Sequence, residues 1–237
     1  LSSMSQRMGK TTIEAENLSK SYGGKLLFQD YSHIFQKDER VGIVGPNGCG
    51  KTTLLRIIHG DVSPDHGTVK IGETVKIGYF AQEYSPMDDN MKAIEFVRED
   101  AEYIQTKEGK ITASAMMERF LFDSTMQWTR IEKLSGGEKR RLYLLRILMD
   151  APNVLILDEP TNDLDIPTLN VLEDYLDSFD GIVIVVSHDR YFLDRVVRRI
   201  FAFEEHGRIR QYEGGYSDYL AASAERVFRD TVSTLDR

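Results

Sequence analysis

A chain of 237 residues is long enough for one large domain with a full core, or for two small ones. With 41% hydrophobic and 29% charged residues it has the balance of a soluble globular protein, and no apolar run approaches the ~20 residues of a membrane helix. A formal net charge of -8 argues against indiscriminate nucleic-acid binding, and the single cysteine, Cys49, excludes an internal disulfide or a cysteine-based zinc site and fits a reducing cytoplasm.

The opening, LSSMSQRMGK, lacks the apolar core of a signal peptide, and a start at Leu1 leads us to expect a fragment of something longer. Thr12 to Asn17, Leu26 to Phe35 and Arg40 to Val44 read as strands, the third feeding a glycine-rich turn and a helix from Lys51 to about His59. Short β-branched runs follow at Thr68 to Ile71 and Val75 to Phe80. From about Met87 to Lys133 charged and apolar residues fall at helical spacing (AIEFVREDAEYI, then ASAMMERFLF), which predicts an inserted helical subdomain without a strong strand, its paired methionines serving as packing. After Gly137 a helix runs to Ala151-Pro152, where the residue before proline is disfavoured in α geometry. A buried strand (VLIL), a helix over about Pro167 to Ser178, a second buried strand (IVIVV) and a short helix (RYFLDRVV) complete the pattern. Neither apolar run alternates with polar residues, as expected of parallel strands covered on both faces. The predicted class is α/β with a mainly parallel central sheet, an antiparallel β portion near the start and a helical insert.

Gly45-Pro46-Asn47-Gly48-Cys49-Gly50-Lys51-Thr52 fits the P-loop pattern between a strand and a helix. The glycines let backbone N–H groups converge on phosphate oxygens, and the helix N-terminus adds positive potential. Lys51 supplies a charge for the β- and γ-phosphates, the Thr52 hydroxyl suits Mg²⁺, and Thr53 can reach the α-phosphate. Cys49 lies beside Lys51 and a helix N-terminus, both of which favour thiolate, or it is a small side chain at a tolerant position. Asp158 and Glu159 end the VLIL strand, where one carboxylate can hold magnesium or its water and the next can polarise an attacking water. His188, after the IVIVV strand, is placed to approach a γ-phosphate, because ligands of such sheets gather at strand carboxyl ends.

These residues, together with LSGGE at Leu134 to Glu138, LILDEPT, Gln82 and Ser187-His188-Asp189, make the chain resemble an ATP-binding-cassette (ABC) ATPase over roughly Thr12 to Leu220. The resemblance implies ATP and Mg²⁺ as ligands and a second cassette as partner, because in this family each signature loop caps the nucleotide held by the other cassette's P-loop. Ser135, Gly136, Gly137 and Glu138 would thus touch a partner's ATP. By the same resemblance Tyr22 stacks on adenine, with a buried core tyrosine as the alternative. Gln82 contacts Mg²⁺ and the attacking water, Glu159 is the general base, Asp158 acts on Mg²⁺ through water, His188 senses the γ-phosphate, and Asp165 belongs to a loop crossing the interface.

PTNDLDIPTL, SHDRYFLDRV and YEGGYSDYL resemble the F-type ABC proteins, soluble chains with two cassettes and no membrane domain, many of which act on the ribosome. Asp163 departs from the Asn-His frequent in that group. The resemblance implies that residues 1–11 end an interdomain linker, that 12–220 form the second cassette with its helical subdomain at about 87–134, and that 221–237 form a C-terminal helical extension. Localisation would be cytoplasmic, and ATPase activity would be weak in the isolated fragment. Two other readings stay open: the motor subunit of an ABC membrane transporter, and a largely non-hydrolytic ATP switch. Lys139, Arg140, Arg141, Arg146, Arg195, Arg198 and Arg199 could contact ribosomal RNA, or could be solvated helix faces paired with acidic residues.

Overall fold

The computed structural model describes residues 8–235, with backbone alone over 233–235. In chain order the elements are β1 (Ile13–Tyr22), β2 (Lys25–Ile34), β3 (Arg40–Val44), α1 (Lys51–His59), β4 (His66–Ile71), β5 (Ile77–Phe80), α2 (Ala93–Arg98), β6 (Tyr103–Thr106), β7 (Gly109–Thr112), α3 (Ala113–Arg119), α4 (Ser124–Gln127), α5 (Gly136–Met149), β8 (Val154–Asp158), α6 (Ile166–Asp177), β9 (Ile182–Val186), α7 (Arg190–Val196), β10 (Arg199–Phe203), β11 (Ile209–Glu213) and α8 (Tyr216–Leu235). This is an α/β fold with parallel strand pairing and an antiparallel β portion. It divides into two compact units, one holding the chain up to Glu14, Ile34–Glu39 and Lys70–Val183, the other Ala15–His33, Arg40–Val69 and the chain from Ile184 on.

In the second unit β1 lies between β2 and β4. The N–H of Asn17 donates to Ser32 Oγ (2.8 Å) and that of Asp30 to Ser19 Oγ (3.1 Å), the falling register of an antiparallel pair. β3 pairs parallel with β10, aligning Ile43 with Phe201, and β10 pairs antiparallel with β11. Phe203 meets Phe28 edge to face at 6.0 Å and Phe201 meets Tyr31 at 5.3 Å, so aromatic packing ties β10 to β2. β10 and β11 have no counterpart in the sequence reading. The RIFAF run is almost wholly buried, but it follows α7 so closely that its apolar residues merge with those of the helix.

In the first unit β5 pairs parallel with β8, Phe80 beside Leu157. All five residues of β8 are buried, as a strand covered on both faces requires. Buried Asn153 secures the entry to this pair: its side chain accepts from the Lys76 N–H at 2.7 Å and donates to the Thr74 carbonyl at 2.7 Å. Helices α2, α3 and α5 pack around Ile94, Val97, Met117, Phe120, Phe122, Leu142 and Leu145, all buried. Met116 and Met117 are core, in line with the packing role assigned to them.

The insert is not purely helical. β6 and β7 form an antiparallel hairpin where continued helix was expected, and α2 stops at Arg98. The reason is local: Ile104 and Thr106 alternate inward, Thr106 Oγ1 donates to the Gly109 carbonyl at 2.8 Å, and Gly109 takes φ 118°, which closes the turn. Helix α5 ends at Met149 with Ala151 left-handed (φ 51°), just before Pro152. α8 starts at Tyr216, upstream of the extension expected from residue 221, because the Gly215 N–H donates to Asp218 and Ser217 is held by Asp194. The linker expectation for residues 1–11 falls mostly outside the described residues.

Candidate functional site

The phosphate loop sits in the second unit between buried β3 and α1. Gly45 can carry no side chain, since a Cβ there would lie 2.8 Å from Phe203 Cβ and 2.9 Å from Cys49 Sγ. Gly50 takes φ 114°, and its Cβ would meet that of Leu27 at 2.9 Å. The helix therefore starts on a glycine with no side-chain cap and no acidic residue in its first turn. Helices α3, α4, α5, α6 and α7 by contrast are each capped by a side chain. The uncapped N–H groups of α1 are the classes of donor an anion would take. Lys51 is buried, and its ammonium donates to the Gly45 carbonyl at 2.6 Å and to that of Pro46 at 2.9 Å, holding the charge inside the loop. Cys49 Sγ lies 3.9 Å from that ammonium. Thr52 and Thr53 are half-buried on the first turn, while Pro46, Asn47 and Gly48 are exposed.

Tyr22 and His188 belong to the same unit. Tyr22 is 51% exposed, with the Lys20 ammonium 5.0 Å from its ring centre, so it is not the core tyrosine of the alternative reading. His188 follows β9 and is exposed; the next residue, Asp189, caps α7 by accepting from the Phe192 N–H at 3.0 Å.

Gln82, Asp158, Glu159, the signature turn and Asp165 lie in the first unit. Gln82 is exposed two residues beyond β5. Asp158 ends β8, fully buried, and Glu159 is buried beside it. Glu159 is held left-handed at φ 51°, a conformation costing an L residue about 1–2 kcal/mol and retained where surrounding structure imposes it, often at functional sites. Asp165 caps α6, accepting from the Thr168 N–H at 3.0 Å; the Thr168 hydroxyl and N–H together hold its carboxyl below the ordinary 3.8.

At the signature turn Ser135 caps α5. Its Oγ accepts from the Glu138 N–H at 3.1 Å while Glu138 accepts from the Ser135 N–H at 2.9 Å, a reciprocal capping box. Gly136 and Gly137 form the exposed first turn. A Cβ on Gly136 would meet nothing within 4 Å, and one on Gly137 only the Asp163 carbonyl at 3.7 Å. Neither glycine is demanded by its own chain.

The basic residues divide. Lys139 pairs with Asp89 at 3.3 Å, Arg146 with Glu99 at 2.7 Å and Asp100 at 2.9 Å, and Arg199 with Glu213 at 3.0 Å. Arg140 and Arg141 are buried against the rings of Phe80 and Phe122, which is neither solvated face nor surface patch. Nothing in their sequence context signals that burial. Thr52 offers a hydroxyl oxygen within the second unit, and Gln82 and Asp158 offer amide and carboxylate oxygens within the first; oxygens of these kinds are what a hard cation such as magnesium takes, beside phosphate oxygens and water.

The family model described as "ABC transporter" matches residues 28–162. The chain is 56% identical over 220 residues to the uncharacterized ABC transporter ATP-binding protein YfmR of Bacillus subtilis (strain 168), covering 92% of this chain and 35% of that protein. It is 42% identical over 213 residues to the energy-dependent translational throttle protein EttA of Escherichia coli (strain K12), covering 90% and 38%. It is 37% identical over 214 residues to the ATP-binding protein Uup of Haemophilus influenzae, covering 90% and 33%. The chain thus spans between 33% and 38% of the length of these relatives. Among solved structures, a dimeric post-hydrolysis ATP-binding cassette bound to ADP and Pi aligns with TM-score 0.66 at 22% identity, over 85% of this chain and 98% of that one. No helix among the described residues is long and apolar enough to cross a membrane.

Proposed function

Given that this chain belongs to the ABC transporter ATPase family, we propose that it is the second cassette of a cytoplasmic F-type protein whose ATP-driven closure acts on the ribosome. The signature turn carries this reading. Two exposed glycines start a capped helix and cost it stability, and among the described residues no close approach requires either of them. They leave backbone N–H groups open to a close approach from outside. The chain then holds two half-sites, a phosphate loop for its own nucleotide and a signature turn for the nucleotide of another cassette.

Within that reading Gly45 to Gly50 wrap the phosphates, Lys51 neutralises the β- and γ-phosphates, Thr53 reaches the α-phosphate and exposed Tyr22 stacks on adenine. Thr52, Gln82 and, through water, Asp158 would hold Mg²⁺, which when bound neutralises charge on the phosphoryl oxygens. Glu159 accepts the proton of the attacking water and His188 donates to the γ-phosphate. Ser135 keeps its hydroxyl hydrogen for the partner's γ-phosphate, because its oxygen is the acceptor in the capping box. Asp165 fixes the start of α6 beside the crossing loop. A relative named a translational throttle supports a translational target, and the relatives' greater length is in keeping with a second cassette.

The test uses the full-length protein carrying Glu159→Gln, which should hold the ATP-closed state. A lysate fractionated in MgATP should show it sedimenting with ribosomes, and the association should disappear when ATP is removed. Migration with membranes beside a stoichiometric integral protein would instead make it a transporter motor.

A further inference from the structure

Arg140 is 97% buried by its 3% relative exposure, and its three side-chain nitrogens have no hydrogen-bond partner among the described residues. Its guanidinium carbon lies 3.9 Å from the ring centre of Phe80, 5.5 Å from that of Tyr84 and 5.8 Å from that of Tyr143. The cage is itself stacked: Tyr143 lies 5.5 Å from Phe80 and 5.0 Å from Tyr84, and its hydroxyl donates to the Tyr79 carbonyl at 3.0 Å. Ring faces recover part of the desolvation cost of the cation, yet a methionine or leucine would fill this space without incurring it. The charge therefore serves something that apolar packing does not. Asp163 is within ion-pair range, its Oδ2 3.5 Å from Arg140 Nε, beyond ordinary hydrogen-bond length, and its side chain is 58% exposed. It stands between Glu159 and the α6 cap Asp165, and its carbonyl lies 3.7 Å from where a Cβ on Gly137 would sit.

We propose that Arg140 is a positioning residue for ATP hydrolysis: anchored in an aromatic cage whose Phe80 and Tyr84 flank Gln82 in the chain, it acts through Asp163 to hold the 160–165 loop against the signature turn. This rests on the cassette reading above. One cation then links the segment leading to Gln82, the signature helix and the loop following Glu159. Arg140 touches no reacting atom, and its effect is on where the two loops stand when a nucleotide arrives.

The experiment compares full-length wild type with Arg140→Met, Arg140→Lys, Asp163→Asn and the Met/Asn double variant. Amide hydrogen exchange over 134–140 and 160–165 is measured beside steady-state kcat and KM for MgATP. Arg140→Met and Asp163→Asn should each speed exchange of both segments and lower kcat about 10-fold, ~1.4 kcal/mol, with KM within about twofold. The double variant should be no worse than the worse single one, and Arg140→Lys should recover part of kcat. Unchanged exchange in the two segments, or losses in kcat that multiply in the double variant, would overturn the proposal. Methionine suits the cage, and if Arg140→Met fails to accumulate, the half-exposed Asp163→Asn decides through exchange alone. A Glu159→Gln control that turns over like wild type would sink the hydrolytic reading while leaving the exchange comparison to judge Arg140.

Discussion

Replacing Gly136 or Gly137 by alanine should stabilise the protein and cripple it. A glycine inside a helix is about 0.8–1.0 kcal/mol less favourable than alanine, with less at the first positions. Neither residue is at positive φ, so alanine is not strained there. The added methyl on Gly136 meets nothing within 4 Å, and that on Gly137 makes an ordinary contact with the Asp163 carbonyl at 3.7 Å. We expect each variant to gain about 0.5–1 kcal/mol, a rise in Tm of roughly 1–4 °C for a domain of this size. On the proposed two-cassette reading the same methyl would stand where a partner's phosphate approaches the helix N-terminus, and turnover of the full-length protein should fall about 10-fold or more, equivalent to ~1.4 kcal/mol. The assay is a thermal melt followed by circular dichroism beside ATPase rates on the same preparations. A lowered Tm would show that the glycines answer a need inside the chain, and unchanged turnover would show that nothing approaches them.

Lys51→Ala removes the ammonium now held by the Gly45 and Pro46 carbonyls. A charge-assisted hydrogen bond of about 1.5–3 kcal/mol predicts MgATP binding weaker by roughly 10- to 100-fold in a fluorescent-nucleotide titration. Alkylation of Cys49, 3.9 Å from the Lys51 ammonium, should block nucleotide binding, and MgATP should slow the labelling; equal labelling rates with and without MgATP would refute this. Asp165 and Asp194 have folded-state carboxyls below the ordinary 3.8, held there by Thr168 and Ser217 respectively. Their stabilisation is present above that value and is lost as pH falls through the lower folded values, so melts between pH 5 and pH 2 should decline more steeply for wild type than for Asp165→Asn. Asparagine also caps helices well, so the neutral-pH Tm of that variant should stay close to wild type, whereas Asp165→Ala should lose about 1 kcal/mol.

The features legible in the sequence are those fixed locally. Strand β3, the glycines and the Lys51-Thr52 pair specify a loop that can be read over a dozen residues, and Ser135 with Glu138 spells its own capping box. The apolar β8 announces burial on both faces without reference to any partner. The β6–β7 hairpin was hidden because its two-residue period runs for only four residues on each side of the turn, amid charges that also fit a helix. β10 was hidden because its apolar residues continue those of α7. Arg140 and Arg141 were illegible for a different reason. The rings around Arg140 come from β5, the segment after it and α5, and the ring under Arg141 is Phe122 between α3 and α4, so no stretch of sequence shows that a cation will be stacked rather than solvated. The strain at Glu159 likewise appears only in the backbone.

The central claim is that each nucleotide is completed by the signature turn of another cassette. Its most direct test is the ATPase rate of this chain, dilute and shown by light scattering to be monomeric, with and without the other cassette of the full-length protein. We predict weak turnover alone and a marked rise when that cassette is added, abolished if the added cassette carries arginine in place of its signature serine. Brisk hydrolysis by the dilute monomer, indifferent to the added cassette, would contradict the account.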